Sequence, residues 1–154
     1  MRLGDILKPE AVKVLGATSS KKRLFQDLGD LAFSAYALPS LNVVDALLER
    51  EGLGPTGVGH SVALPHARLP QVDQIRGIFI RLEKPLDFDS IDRQPVDLVF
   101  ALIAPSNAGV EHLKALALVS RTLRDVNLRS KLRANADPMT LYAILTEAQA
   151  IKAA

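Results

Sequence analysis

The run Val96-Asp-Leu-Val-Phe-Ala-Leu-Ile-Ala104 is apolar at every position but one, and Pro105 closes it. Its Val, Ile and Phe content suits a pleated strand. Its near-continuous apolarity suits a central strand covered on both faces. Such a strand needs layers above and below it, and the flanking sequence supplies them. Ser19 and Ser20 precede Lys21 to Tyr36, where Leu24, Phe25, Leu28, Leu31, Ala32 and Ala35 recur at helical spacing behind a serine cap. Pro39-Ser40 opens a second helix through Val43, Val44, Leu47 and Leu48, which Gly52 and Gly54 stop. Ile75 to Leu82 is a strand that ends before Lys84-Pro85.

Beyond the central strand, a Ser106-Asn-Ala-Gly loop leads into a helix from Val110 to Leu123, with Leu113, Leu116, Ala117, Ser120 and Leu123 expected to face inward. Two shorter helices follow near 125–135 and 138–148, the last started by Asp137-Pro138. Val12 to Leu15 and Ser61 to Leu64 add short strands, and the tail 149–154 is expected to fray. Helices alternate with strands, so the class is α/β: a single domain over residues 1–154, one sheet with helices packed on it. Strand order is not readable from this pattern.

Composition narrows the function. A chain of 154 residues, 48% hydrophobic and 23% charged, is long and apolar enough for one globular core. The net charge of +2, one short basic run (Lys21-Lys22-Arg23) and 5% aromatics argue against nucleic acid as a partner. The absence of cysteine excludes disulfides, thiolate metal sites and thiol catalysis. Asp5 and Pro9 stand where a signal peptide needs an apolar run, and Leu98 to Ala104 is far too short to span a membrane. The expected location is therefore intracellular, in the cytoplasm, with no membrane insertion.

The common phosphate signatures are missing. Gly54-x-x-Gly57-x-Gly59 lacks the Lys and Ser/Thr of a P-loop and the spacing of a dinucleotide fingerprint. Asp87, Asp89 and Asp92 cluster without the glycine and terminal glutamate of a calcium loop, so a capped polar turn is the expectation.

The three histidines carry more. His60 and His66 lie in Gly57-Val-Gly-His-Ser-Val-Ala-Leu-Pro-His-Ala-Arg68, and His112 lies in the first turn of the helix after the central strand. If Ser61–Leu64 and the central strand are parallel neighbours, His66 and His112 meet at one edge of the sheet. Three readings compete. The histidines could be ordinary surface or core residues. They could hold zinc as a three-histidine site, although their spacing is not that of a helical ligand pair. Or His66 could be a nucleophile that accepts a phosphoryl group, since neutral imidazole is nucleophilic near neutral pH. Pro65 would fix its backbone, Gly57 and Gly59 would admit backbone amides, and Arg50 and the N-terminus of the helix bearing His112 would supply charge.

The segment Val58-Gly-His-Ser-Val-Ala-Leu-Pro-His-Ala67 resembles the phosphorylation signature of the fructose/mannitol-type enzyme IIA domains of the bacterial phosphotransferase system. The likeness continues through Phe88-Asp-Ser-Ile-Asp-Arg-Gln-Pro-Val-Asp97 and Glu111-His-Leu-Lys-Ala-Leu116 and covers nearly the whole chain. Within the family it is most similar to the stand-alone nitrogen-regulatory branch. The resemblance implies a mixed sheet flanked by helices. It implies phosphorylation of His66 on Nε2, stabilisation of the phosphoryl group by His112, and a phosphate contact from Arg50. It implies an HPr-like phosphocarrier as donor, charged from phosphoenolpyruvate through enzyme I. Regulated targets such as potassium transporters or sensor kinases would follow, with no cofactor and no metal. The alternatives are a sugar-specific IIA that hands the group to a IIB component and, more remotely, a three-histidine metal-dependent hydrolase. Ser61 departs from the glycine common in the family, and His60 falls at a variable position, as a neighbour rather than a catalytic residue.

Overall fold

A computed structural model of the chain describes the backbone of residues 1–153 and the side chains of residues 1–147. The expected fraying of 149–154 therefore falls on side chains, and in Ala154 on a residue, outside those described. The elements run α1 (Leu3–Ile6), β1 (Leu7–Leu15), α2 (Lys21–Tyr36), α3 (Ser40–Gly52), β2 (Gly57–Gly59), β3 (Val62–Ala63), β4 (His66–Leu69), β5 (Arg76–Leu86), β6 (Val96–Pro105), α4 (Val110–Leu123), α5 (Val126–Arg133) and α6 (Pro138–Ala153).

The sheet is mixed, in the order β1-β5-β6-β3-β2, and β4 also pairs with β6. β5 and β6 are antiparallel, whereas β1 runs parallel to β5, and β3 and β4 run parallel to β6. β6 is the central strand expected from its composition. Phe100, Leu102 and Ala104 enter a core with α1, α4, α5 and α6, while Val99, Ala101 and Ile103 enter a second core with α2 and α3. The period-2 alternation of a strand thus divides one apolar run between two layers.

Ser20 caps α2 as expected, its hydroxyl accepting from the Arg23 N–H at 3.1 Å. Two strands outrun their expected ends. β5 continues through Pro85 because its pairing with β6 breaks between Arg81 and Leu86, so the missing N–H interrupts no ladder. β1 starts at Leu7 and carries Pro9 inside its own register shift, on the edge of the sheet.

The inward face of α4 differs from expectation. His112, Ala115, Leu118, Val119, Thr122 and Leu123 are buried, whereas Leu113 is 64% exposed. Of the stripe expected inside, only Leu123 is buried; Leu116 and Ser120 are half-buried and Ala117 is exposed. Both stripes have helical spacing, but the sheet selects the one that carries His112.

Candidate active site

The expected strand Ser61–Leu64 is shorter, β3 at Val62–Ala63, and it runs parallel to the central strand β6. β2 and β3 form a hairpin whose two loop residues, His60 and Ser61, have φ of 58° and 61°. Two successive left-handed residues make the tight turn that matches strand twist, and glycine takes it with least strain. The chain then leaves the sheet at Leu64-Pro65 and rejoins the same neighbour, with the Leu102 N–H donating to the Pro65 carbonyl at 2.9 Å. β4 begins at His66, paired with Leu102. His66 therefore follows β3, as expected, but also opens a further strand, and the parallel pairing of β3 and β4 with β6 brings it to His112.

Alternation along β4 sends Ala67 and Leu69 into the α2–α3 core and leaves His66 and Arg68 on the other face. There they meet His112 from the first turn of α4. The His66 and His112 rings stand edge to face with centroids 5.5 Å apart. A cavity of about 470 Å³ is lined by Arg50, Leu53, His66, Arg68, His112 and Leu113, among others. A second hollow, lined by Arg50, Val58, Leu64, His66 and Leu116, opens beside it. His66 and Arg50 border both.

Hydrogen bonds assign the protons. His66 Nδ1 lies 2.9 Å from the Leu64 carbonyl oxygen. A carbonyl only accepts, so Nδ1 carries the hydrogen and Nε2 keeps its lone pair. In His112 the arrangement is reversed. Arg68 Nε donates to His112 Nδ1 at 3.2 Å, and guanidinium only donates, so the hydrogen of the neutral ring sits on Nε2. That Nε2 is buried and has no hydrogen-bond partner in the protein. Burial, then the charges of His66 and Arg68, push the His112 pKa down from 6.5 to about 4. His112 is thus a neutral donor at neutral pH.

Arg50 sits in the last turn of α3 and donates from Nη1 to the Gly54 carbonyl at 3.0 Å. The turn it caps is closed by Glu51, whose carboxylate accepts from the Thr56 N–H at 2.9 Å, from Thr56 Oγ1 at 2.6 Å and from Lys21 Nζ at 2.9 Å. This clamp fixes the path from α3 into the β2–β3 hairpin.

The structure brings together His66, His112 and Arg50, the three residues singled out by the sequence. His60 lies apart, lining another hollow with Ser120 and Arg124, and its carbonyl accepts from Arg133. Among the described residues no group of three or more His, Asp or Glu could hold a metal ion, so the three-histidine site is not assembled. Asp87 and Asp92 accept from the backbone N–H two residues on, as expected of a capped turn. Sequence reasoning missed Arg68. The signal was there, since a His-x-Arg pair on a strand shares one face, but alternation applies only once His66 is placed inside a strand.

Residues 5–148 match the family model described as phosphoenolpyruvate-dependent sugar phosphotransferase system, EIIA 2. The chain is 46% identical over 145 residues to a nitrogen regulatory protein of Bradyrhizobium diazoefficiens, covering 94% of this chain and 95% of that one. It is 40% identical to one from Klebsiella oxytoca, covering 96% and 92%. Among solved structures it resembles nitrogen regulatory protein IIA-Ntr from Neisseria meningitidis, with TM-score 0.85 and 39% identity over 94% of this chain and 99% of that one. IIA mannitol of Escherichia coli, 20% identical with TM-score 0.76 over 90% and 97%, shares the fold.

Proposed function

The chain belongs to the EIIA 2 family of the phosphoenolpyruvate-dependent phosphotransferase system, a phosphotransferase component that works through phosphohistidine. From that premise we propose that His66 Nε2 accepts a phosphoryl group from an HPr-like phosphocarrier, and that the resulting charge sets which partners the protein binds. The observation that carries this reading is the bond from His66 Nδ1 to the Leu64 carbonyl, which leaves Nε2 as the ring's free nucleophile beside an open cavity.

The step balances simply. The Nε2 lone pair of His66 attacks phosphorus on the donor's phosphohistidine. One P–N bond forms, the donor's P–N bond breaks, and its electron pair stays on the donor imidazole. His66 keeps its Nδ1 hydrogen on Leu64 throughout, so the ring need not turn. The buried Nε2–H of His112 is the donor awaiting an acceptor. An unpartnered buried donor costs about 1–3 kcal/mol, and a phosphoryl oxygen on His66 would relieve that cost. Arg50 and Arg68 add positive charge where the dianion arrives.

The carrier would dock on the exposed side chains Leu53 and Leu113, which line the cavity, and Val58, which lines the hollow beside it. Such apolar groups ringing a reactive centre suit a transient protein interface. Among the described residues no helix is long and apolar enough to cross a membrane. Its similarity to nitrogen regulatory proteins supports a regulatory output, with potassium transporters and sensor kinases as candidate targets.

The test is reconstitution with enzyme I, an HPr-like carrier and phosphoenolpyruvate. One acid-labile phosphoryl group on wild type and none on His66→Ala is expected. Equal labelling of both would overturn the assignment. Rapid onward transfer to a sugar-specific IIB would replace the regulatory output with a transport one.

A further inference from the structure

We propose that Arg68 is the positioning residue of this site, orienting the His112 ring and holding its proton on Nε2 while keeping guanidinium charge at the mouth of the cavity. The inference rests on the reading of His66 as phosphoryl acceptor.

An imidazole has two nearly isosteric faces, and something must choose which nitrogen meets the incoming group. The candidates around His112 are few. His66 commits Nδ1 to the Leu64 carbonyl. Arg50 commits Nη1 to the Gly54 carbonyl. His112 Nε2 has no protein partner. The bond from Arg68 Nε is thus the contact that orients the ring. Were its proton moved to Nδ1, a lone pair would face the phosphoryl oxygens and repel them; were the ring flipped, Cε1 would stand in place of the Nε2 donor.

Arginine suits this task better than a point charge. Its fork is planar and rigid, so Nε can hold the ring while the terminal nitrogens remain near the cavity that Arg68 also lines. The same charge helps keep His112 neutral. Placement follows from the strand: His66 and Arg68 are two residues apart on β4, so nucleophile and positioning residue rise on one rigid ladder against Leu102 and Ala104 of β6. Arg68 is exposed, so its replacement should leave the fold intact.

The experiment compares full-length wild type, Arg68→Met and Arg68→Gln. Imidazole nitrogen NMR and the initial rate of phosphorylation by the carrier are the two readouts. In Arg68→Met the His112 Nδ1 resonance should lose its hydrogen-bonded position. The rate should fall about 10- to 100-fold, the worth of one charge-assisted hydrogen bond. Arg68→Gln keeps a neutral donor, so it should retain the resonance while losing part of the rate. A wild-type rate in Arg68→Met, or His112 resonances that superimpose on wild type, overturns the inference. A wild type that takes no phosphoryl group overturns the acceptor reading and this inference with it. A phosphorylated wild type with an unaffected Arg68→Met variant overturns this inference alone.

Discussion

His66 and His112 are held in opposite tautomers with their ring centroids 5.5 Å apart. The Leu64 carbonyl puts the hydrogen of His66 on Nδ1, and Arg68 puts that of His112 on Nε2. One ring therefore offers a lone pair and the other an N–H donor. A phosphoryl group placed on the first, as proposed, would meet a hydrogen-bond donor in the second.

This pairing predicts how His112 substitutions behave. His112→Ala removes the donor without removing the nucleophile, so His66 should still be labelled, but roughly 100-fold more slowly, the usual worth of one such donor. His112→Gln, whose amide can place an N–H near the Nε2 position, should recover part of the rate. Stopped-flow transfer from the phosphorylated carrier would measure both. A His112→Ala rate equal to wild type would remove His112 from the mechanism.

Burial of His112 also predicts a pH dependence of stability. The imidazole titrates near 6.5 in the unfolded chain and near 4 in the folded one. Between those values the unfolded chain binds a proton that the folded chain refuses. Stability from this group is therefore full above pH 6.5, falls as pH drops toward 4, and changes no further below it. Its slope is at most about 1.4 kcal/mol per pH unit. Denaturant unfolding across this range should show the slope in wild type, and His112→Gln should lack this share of it. An unchanged slope in the variant would contradict the assignment.

Leu113 stands one residue from His112 yet is 64% exposed. If it belongs to the docking ring, Leu113→Asp should leave the unfolding free energy within about 0.5 kcal/mol of wild type, as for a surface change, while weakening capture of the carrier. Chemical-shift mapping with the carrier would test this. A large loss of stability would mean that the residue packs inside.

Ser61 adopts φ 61° in the β2–β3 turn. A left-handed conformation costs a residue with a Cβ roughly 1–2 kcal/mol. Ser61→Gly should recover up to about 1 kcal/mol after the added chain entropy of glycine. Phosphorylation should be unaffected, because Ser61 lines neither hollow beside His66. A changed transfer rate would place the turn in the functional surface. The glycine usual in the family at this position has a backbone reason here.

The contrast between α4 and β4 shows what was legible in the sequence and what was not. Val96 to Ala104 announced a two-faced central strand because its pattern has only one structural solution. Lys21 to Tyr36 announced itself through its serine cap and apolar repeat. The inward face of α4 was ambiguous, because Leu113-Leu116-Ala117-Ser120 and His112-Ala115-Val119-Thr122 both have helical spacing. The more apolar stripe lies largely outside, where it rims the cavity, and tertiary packing decided between them. His66, His112 and Arg50 were visible as chemistry, and the resemblance then gave each its expected role. Arg68 was not, because the expected strand ended at Leu64, whereas pairing with β6 resumes at His66 in the same register and carries the alternation on to Arg68. A pattern read along the chain does not register a strand that leaves the sheet and returns to the same neighbour.

The most direct measurement of the central claim is intact mass after incubation with enzyme I, an HPr-like carrier and phosphoenolpyruvate, on wild type and His66→Ala side by side. The account predicts a single acid-labile phosphoryl group on wild type, none on the variant, and closely similar unfolding curves for the two. Full labelling of His66→Ala, or an unlabelled wild type with both upstream proteins active, would contradict it.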